Sequence, residues 1–110
     1  MIEETVFLTR GNSIDLLMIA DGQPEAIQST TRVVLKCENE DSGAVTTLDS
    51  NTSPSYFDWA SRGADGYLIL KLGASSLTVG TYTVKCFVYN SNVPEGLYWG
   101  IFRLFVRNVG

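Results

Sequence analysis

Histidine is absent from this sequence of 110 residues, and with it the commonest general base and the commonest metal ligand of proteins. A catalytic triad of serine, histidine and an acid is therefore excluded. Cysteine occurs only twice, without a Cys-x-x-Cys motif, so the usual zinc ligand sets cannot be completed. Nucleophile-elbow, phosphate-loop and EF-hand motifs are also missing. We therefore expect neither an enzyme nor a bound cofactor or metal.

The sequence also lacks long hydrophobic runs and any surplus of positive charge. No window approaches the roughly 18 apolar residues of a transmembrane helix, and residues 1–4 are acidic rather than a signal peptide's basic start. We expect a protein made in the cytoplasm, with no signal peptide and no membrane partner. Eight basic against twelve acidic residues give a net charge of −4. This argues against a nucleic-acid partner, because phosphate contacts need a surplus of lysine and arginine.

Apolar residues are plentiful enough for a core. They make up 45% of the sequence against 18% charged residues, which is the balance of a globular domain rather than of a disordered chain. Residues 1–110 are predicted to form a single domain, since a chain of this length can bury a core that is stable without metals or disulfides.

Short apolar segments alternate with polar residues at a period of two, which predicts β-strands rather than helices. Turn signals separate them, as at residues 10–12 (Arg-Gly-Asn), 21–24 (Asp-Gly-Gln-Pro) and the longer hairpin loop 90–96. This pattern predicts an all-β fold, an immunoglobulin-like antiparallel β-sandwich of seven to eight strands. The predicted strands are residues 5–9, 13–20, 31–38, 44–49, 67–72, 81–89 and 97–107, with a further extended piece at 56–59.

Two smaller features agree with this fold. Leu77, Gly80 and Tyr82 form a Leu-x-x-Gly-x-Tyr pattern, in which the tyrosine hydroxyl can reach an upstream carbonyl as in a tyrosine corner. Cys37 and Cys86 are predicted to point inward from neighbouring strands of one sheet, where a disulfide is geometrically awkward. We expect two buried, reduced thiols that act as small hydrophobic side chains.

The last hairpin carries apolar residues on both of its predicted faces. A face that meets water does not normally collect many aromatic side chains, and a contiguous apolar patch usually marks a contact surface. We therefore predict a protein–protein interface on the outer face of this hairpin, and we expect its last strand to be an edge that can pair with a partner. The predicted apolar contacts are Phe87, Tyr89, Trp99, Ile101 and Phe105, and Arg103 and Arg107 are predicted to set the register.

The order of these signals resembles a known group of proteins. The segments Arg10-Gly11-Asn12-Ser13, Asp21-Gly22-Gln23-Pro24 and Val33-Val34-Leu35-Lys36, followed by Asp65-Gly66 and Leu77-x-x-Gly80-x-Tyr82, look like the immunoglobulin-like N-terminal domain of phage baseplate upper proteins. The resemblance implies a non-enzymatic phage virion structural or assembly protein, in a tail, baseplate or capsid-decoration position. It would be made in the host cytoplasm and located in the virion. Its partners would be other virion proteins or itself, in a homo-oligomer.

Two other interpretations of the aromatic residues stay open on the sequence alone. The loop 50–62, with Tyr56, Phe57 and Trp59, could fold over the outer face of the last hairpin and bury it. The alternative function is a carbohydrate- or cell-surface-binding module, which would use Tyr56, Trp59 and Tyr67 as stacking surfaces.

Overall fold

A computed structural model of the chain describes residues 2–8 and 13–108. In this part of the chain the fold is all-β, and its three 3₁₀ helices are all too short to cross a membrane. The turn predicted at residues 10–12 lies outside the described residues. The strands are β1 (Ile2–Phe7), β2 (Ile14–Leu17), β3 (Ile19–Ala20), β4 (Gln23–Pro24), β5 (Arg32–Asn39), β6 (Val45–Asp49), β7 (Phe57–Asp58), β8 (Tyr67–Leu70), β9 (Gly80–Asn90) and β10 (Val93–Arg107), and the 3₁₀ helices are Pro54–Tyr56, Gly63–Asp65 and Leu72–Ala74.

The strands form a five-stranded sheet in the order β1-β10-β9-β5-β6, a three-stranded sheet in the order β2-β8-β7, and a small β3-β4 hairpin. Every described pair is antiparallel except β1 and β10, which run parallel with Ile2 opposite Phe102 and Phe7 opposite Arg107. The all-β prediction is confirmed, but the prediction of purely antiparallel pairing is wrong at β1. The last strand is not an edge over Phe102 to Arg107, because β1 covers it there.

One hydrophobic core takes side chains from both sheets. Every second residue of β9 from Tyr82 to Val88 is buried, as the alternation of a strand requires, and Phe57 of β7 reaches the same core from the other sheet. The core therefore lies between the two inner faces. Its described residues without any exposed surface are Val6, Val33, Leu35, Cys37, Leu68, Leu70, Leu72, Val84, Leu104 and Val106.

Local turn chemistry sets the ends of the strands. Asp21 and Gly22 have positive φ angles of 53° and 76°, and they join β3 to β4 as a two-residue hairpin of the type that needs two such residues. The loop predicted at residues 90–96 is shorter in the structure, because the Asn90 side-chain oxygen accepts hydrogen bonds from the N–H groups two and three residues later. Strand β10 therefore already begins at Val93.

The predicted tyrosine corner is confirmed. The Tyr82 hydroxyl donates a hydrogen bond of 2.9 Å to the carbonyl oxygen of Thr78 and lies 3.1 Å from the Thr78 hydroxyl. The ring of Tyr82 is buried opposite Leu104 of β10. This side chain therefore ties the loop before β9 to the core.

Replacing Tyr82 by phenylalanine is expected to lower the free energy of unfolding by about 1 kcal/mol, the usual net value of one hydrogen bond. The ring and its packing are kept, so only the bond to Thr78 is lost. Chemical denaturation measures the change, with Tyr98→Phe as the matched control, since the Tyr98 side chain is half exposed. The same loss in both variants would show that the corner bond adds no stability.

Both cysteines are free and buried, as predicted. They lie on adjacent strands, where Cys86 is opposite Leu35 and Cys37 is opposite Val84. Burial raises the pKa of each thiol to about 12. The thiols are therefore protonated at neutral pH and behave as apolar core groups, without the thiolate that redox or metal chemistry needs.

Candidate protein–protein interface

The outer face of the five-stranded sheet is the face turned away from the core. The loop 50–62 does not cover it, so that interpretation is wrong: Phe57 is buried in the core and pairs with Leu70, while Tyr56 and Trp59 pack against the same core. The three-stranded sheet also lies on the core side. Among the described residues, neither of these elements shields the outer face from water.

The apolar centre of the outer face is formed by Phe87 and Tyr98. These residues lie opposite each other on β9 and β10, and their ring centroids are 5.4 Å apart with the planes tilted by 44°. On the next strand Val34 faces Phe87 and is only 4% exposed, although it projects from the outer face. Tyr98 is 51% exposed and Ile101 is 38% exposed. This part of the face therefore combines a small cluster that excludes water, at Val34 and Phe87, with exposed apolar surface at Tyr98 and Ile101.

Trp99 is not part of the outer face, so its predicted position there is wrong. A register shift between Tyr98 and Gly100 leaves Trp99 as an extra residue in β10, which is a β-bulge. The bulge restarts the alternation of the strand, so Tyr98 projects outward beside Phe87 and Trp99 packs against the core. Glycine inside a strand pattern often marks a bulge. Gly100 is therefore the sequence signal that could have indicated the change of face.

Two lysines face each other in the middle of the outer face. Lys36 of β5 lies directly opposite Lys85 of β9, and Ile101 is the next residue across on β10. Neither lysine takes part in an ion pair of the described chain, although the Lys36 ammonium lies 5.6 Å from the ring centre of Phe87. Like charges directly opposite on neighbouring strands destabilise each other. A carboxylate supplied by a partner would remove this repulsion.

Arg103 has partners within the chain. Its guanidinium donates two hydrogen bonds of 2.9 Å to the carboxylate of Glu40 and one of 3.3 Å to Glu3. The hydrogen bonds from Arg103 lower the pKa of Glu40, so that carboxylate is charged at neutral pH. Arg103 therefore links β1, β10 and the turn after β5, and its role in the register of a partner stays a prediction.

Guanidinium groups also cover the other two predicted aromatic contacts. Arg103 and Arg107 lie 5.2 Å and 5.1 Å from the ring centre of Phe105. Arg32 lies 4.8 Å from the ring centre of Tyr89 and forms an ion pair with Asp49. Cation–π contacts of this kind occupy ring surface that a partner could otherwise use. At the ends of the outer face, the aromatic rings are therefore already in contact with arginines of the same chain, whereas the centre of the face has more ring surface left for a partner.

The residues predicted for a carbohydrate-binding surface have contacts of their own. Tyr56 and Trp59 pack against the core, and the Arg62 guanidinium lies 4.1 Å from the ring centre of Tyr67. Arg62 also forms an ion pair of 3.5 Å with Asp15. Each of the three rings therefore has part of its surface occupied within the chain, and the sugar-binding alternative stays a prediction.

Several carboxylates in the described part of the chain form ion pairs with arginines or accept hydrogen bonds from turns. No group of three or more acidic or cysteine side chains there is arranged to hold a metal ion. Asp58, for example, accepts hydrogen bonds from the N–H groups of Ala60 and Ser61 and from the Ser61 hydroxyl. These bonds lower the pKa of Asp58. Its charge is thus used locally to close the turn after β7.

Sequence reasoning located most of the outer face but missed Tyr98 and the lysine pair. All predicted interface residues except Trp99 belong to strand positions that project away from the core. The sequence matches no protein-family model, and a search of curated proteins finds no relative.

Proposed function

We propose that this protein is a non-enzymatic assembly protein that binds copies of itself or other protein subunits through the outer face of its five-stranded sheet. The observation that carries the proposal is the centre of this face, where Phe87, Tyr98 and Ile101 adjoin the unpaired Lys36 and Lys85. Exposed aromatic and aliphatic side chains beside charged groups that form no ion pair are typical of surfaces that become buried on association.

The lysine pair narrows the chemistry of the partner surface. A partner that covers Ile101 with an apolar residue and brings carboxylates to Lys36 and Lys85 would bury the rings and neutralise two like charges at once. A second copy can supply such carboxylates, since the chain has twelve acidic residues and a net charge of −4. Charge complementarity of this kind mainly sets specificity and the rate of association.

We further infer that the assembly is a phage virion, with the protein in a tail, baseplate or capsid-decoration position. The sequence resemblance to phage baseplate upper proteins supports this inference. The tyrosine corner at Tyr82 and the single core between two sheets support the related proposal that the fold is a variant of the immunoglobulin-like sandwich. The parallel pairing of β1 is the feature in which this variant departs from a purely antiparallel arrangement.

The purified protein is expected to form a discrete oligomer, and Tyr98→Glu and Ile101→Glu are each expected to return it to the monomer mass of 12.1 kDa. A carboxylate at either position would have to be desolvated in the interface, which costs more than the lost apolar contact. Light scattering on a sizing column, at several protein concentrations, measures the mass. Circular dichroism confirms that the variants keep their strands.

Val79→Glu is the matched control for these variants. Val79 is 48% exposed and lies in the loop before β9, outside the strands that form the outer face, so its replacement should leave the oligomer intact. A wild-type protein that stays monomeric at every concentration would contradict self-assembly through this face, as would an oligomer that both outer-face variants leave unchanged.

A further inference from the structure

Glu38 lies beside the lysine pair on the outer face of the five-stranded sheet. It follows Lys36 on β5 by two residues, so both side chains project from the same face. On β9 it is opposite Thr83, whereas Lys36 is opposite Lys85. Within the described chain, Glu38 forms no ion pair, like the two lysines. The middle of the face therefore carries available charges of both signs next to each other.

Three other carboxylates on or beside this face are already engaged. Arg103 forms ion pairs with Glu3 and Glu40, and Asp49 is held in the same way by an arginine of β5. A partner would have to displace an existing ion pair to use any of these groups. Glu38 is thus the carboxylate beside the lysine pair that remains available.

A small cavity brings these charged groups together. It has a volume of about 100 Å³ and is lined by Lys36, Glu38, Val45, Thr83 and Lys85. Four of the five lining side chains are polar or charged, so the cavity suits a polar group, which would find hydrogen-bond partners there. A carboxylate placed between the two lysines could accept hydrogen bonds from both ammonium groups.

The lysine pair also limits how a second copy of the chain could dock on this face. Two sheets that meet face to face keep their strands roughly aligned, and a symmetric pair is related by a two-fold axis. An axis parallel to the strands, between β5 and β9, would set Lys36 of each copy against Lys85 of the other. An axis along β9 would set Lys85 against itself. Both arrangements bring like charges together, which is costly in an interface.

An axis that runs across the strands, midway between Lys36 and Glu38, removes this conflict. Side chains two residues apart on a strand are about 7 Å apart, and such an axis exchanges their two rows. The row of Lys36 and Lys85 then lies over the row of Glu38 and Thr83 of the second copy. Because these residues lie close to the axis, the angle of about 30° between aligned sheets displaces them little.

The same axis also suits the rest of the face. Ile101 belongs to the lysine row on β10, and Arg103 belongs to the row of Thr83, so Ile101 meets the aliphatic stem of an arginine. One row further out, Tyr98 comes toward the row that contains Phe105. Across these rows of β5, β9 and β10, no two side chains of like charge are set directly against each other.

We propose, on the basis of the assembly function proposed above, that the partner of the outer face is a second copy of this chain, related by a two-fold axis that runs across the strands. Lys36 and Lys85 of each copy hold Glu38 of the other in the cavity that these residues line. The face is thus complementary to itself. Its exposed rings supply contact area, and the charge pairs fix the orientation of the two copies.

Lys36→Glu and Glu38→Lys test this pairing. The wild type is expected to have twice the monomer mass of 12.1 kDa. Each variant should raise the dissociation constant of the dimer at least about tenfold, because it sets like charges against each other at two equivalent contacts. Lys36→Glu should nevertheless fold at least as stably as the wild type, since it replaces a like charge opposite Lys85 by an opposite one. Sedimentation velocity measures the dissociation constant, and chemical denaturation measures the stability.

Mixing the two single variants is the decisive measurement. In a mixed dimer, both contacts between positions 36 and 38 again join a lysine and a glutamate. The mixture should therefore dimerise within about threefold of the wild-type affinity, although neither variant does so alone. The double variant Lys36→Glu with Glu38→Lys should dimerise with itself for the same reason. Together with a mass of two copies, this pattern identifies a symmetric pairing of the two positions.

Lys71→Glu and Glu25→Lys are the matched controls. They make the same changes of charge at exposed positions outside the five-stranded sheet. Both variants should keep the wild-type dissociation constant. If they weaken the dimer as much as the variants at positions 36 and 38 do, net charge rather than the proposed pairing controls association, and the pairing is refuted.

The remaining outcomes separate this pairing from the assembly function on which it rests. An oligomer that Tyr98→Glu abolishes, but that the mixture of charge variants fails to restore, would overturn the two-fold pairing and support the outer-face interface. An oligomer with an odd number of copies would do the same. A wild type that is monomeric at every concentration would overturn the pairing together with self-assembly. An oligomer that no outer-face substitution changes would contradict the proposed function itself.

Discussion

Leu104→Ala is expected to lower the free energy of unfolding by about 2–5 kcal/mol, the range for removing a fully buried leucine side chain. Leu104 has no exposed surface and lies opposite Tyr82 in the centre of the core. Its neighbours belong to a sheet that is fixed on both sides by β1 and β9. They cannot close the cavity by a small shift, so the loss should lie toward the upper part of this range.

The same substitution on the same strand provides the control. Leu97 is 48% exposed, so Leu97→Ala should change the stability by no more than about 0.5 kcal/mol, as is usual for a surface position. Guanidinium denaturation of both variants measures the difference, and the slope with denaturant should stay unchanged. Since a whole domain is stable by only about 5–15 kcal/mol, Leu104→Ala should be close to the limit of folding. Equal, small losses in both variants would mean that Leu104 is not in a rigid core.

Gly66→Ala is expected to lower the free energy of unfolding by about 2–4 kcal/mol, an effect second only to that of Leu104→Ala. About 1–2 kcal/mol of this comes from the left-handed backbone, since φ is 89° at this position. A further cost of about 1–2 kcal/mol comes from overpacking, because a Cβ would lie 3.0 Å from the Glu25 carbonyl oxygen. That backbone cannot move freely, since the Glu25 N–H donates to Met18 and the Met18 N–H donates to Gly66.

Alanine substitutions at two other glycines distinguish the backbone cost from the overpacking cost. Gly22 has a φ of 76° and no atom within 4 Å of a built Cβ, so Gly22→Ala should show only the backbone cost of about 1–2 kcal/mol. Gly100 has neither a positive φ nor a close neighbour, so Gly100→Ala should leave stability unchanged or raise it by up to about 1 kcal/mol. Thermal and chemical unfolding of the three variants test this order. Equal effects at Gly66 and Gly22 would rule out the steric contribution.

Much of the strand pattern could be read from the sequence, because alternation is a local property. Alternation over residues 31–38 puts Val33, Leu35 and Cys37 on one face and Lys36 on the other, and the first three are buried whereas Lys36 is exposed. The Tyr82 hydroxyl also found its predicted carbonyl, four residues away. Each of these predictions depends on residues close together in the chain. The pairing of β1 with β10 does not, and so the parallel strand was missed.

The interface was only partly predictable, because one inserted residue moves a side chain to the opposite face. Unbroken alternation along residues 97–107 puts Trp99 on the same face as Ile101 and Tyr98 on the opposite face, whereas the bulge reverses both positions. The covering of Phe105 by Arg103 and Arg107 could not be foreseen in the same way. It depends on where Glu40, at a distant turn, holds Arg103.

The parallel pairing of β1 also constrains the order of folding. Glu3 and Arg103 are separated by 100 positions in the chain, so a ribosome must synthesise nearly the whole domain before the first strand finds its neighbour. The hairpin of β9 and β10 can form locally as soon as both strands are made. Until β1 pairs with it, however, β10 has an unpaired edge that can bind other chains. Such long-range closure is a slow step in folding. A chain stalled before β10 would leave its first strand without a place in the sheet.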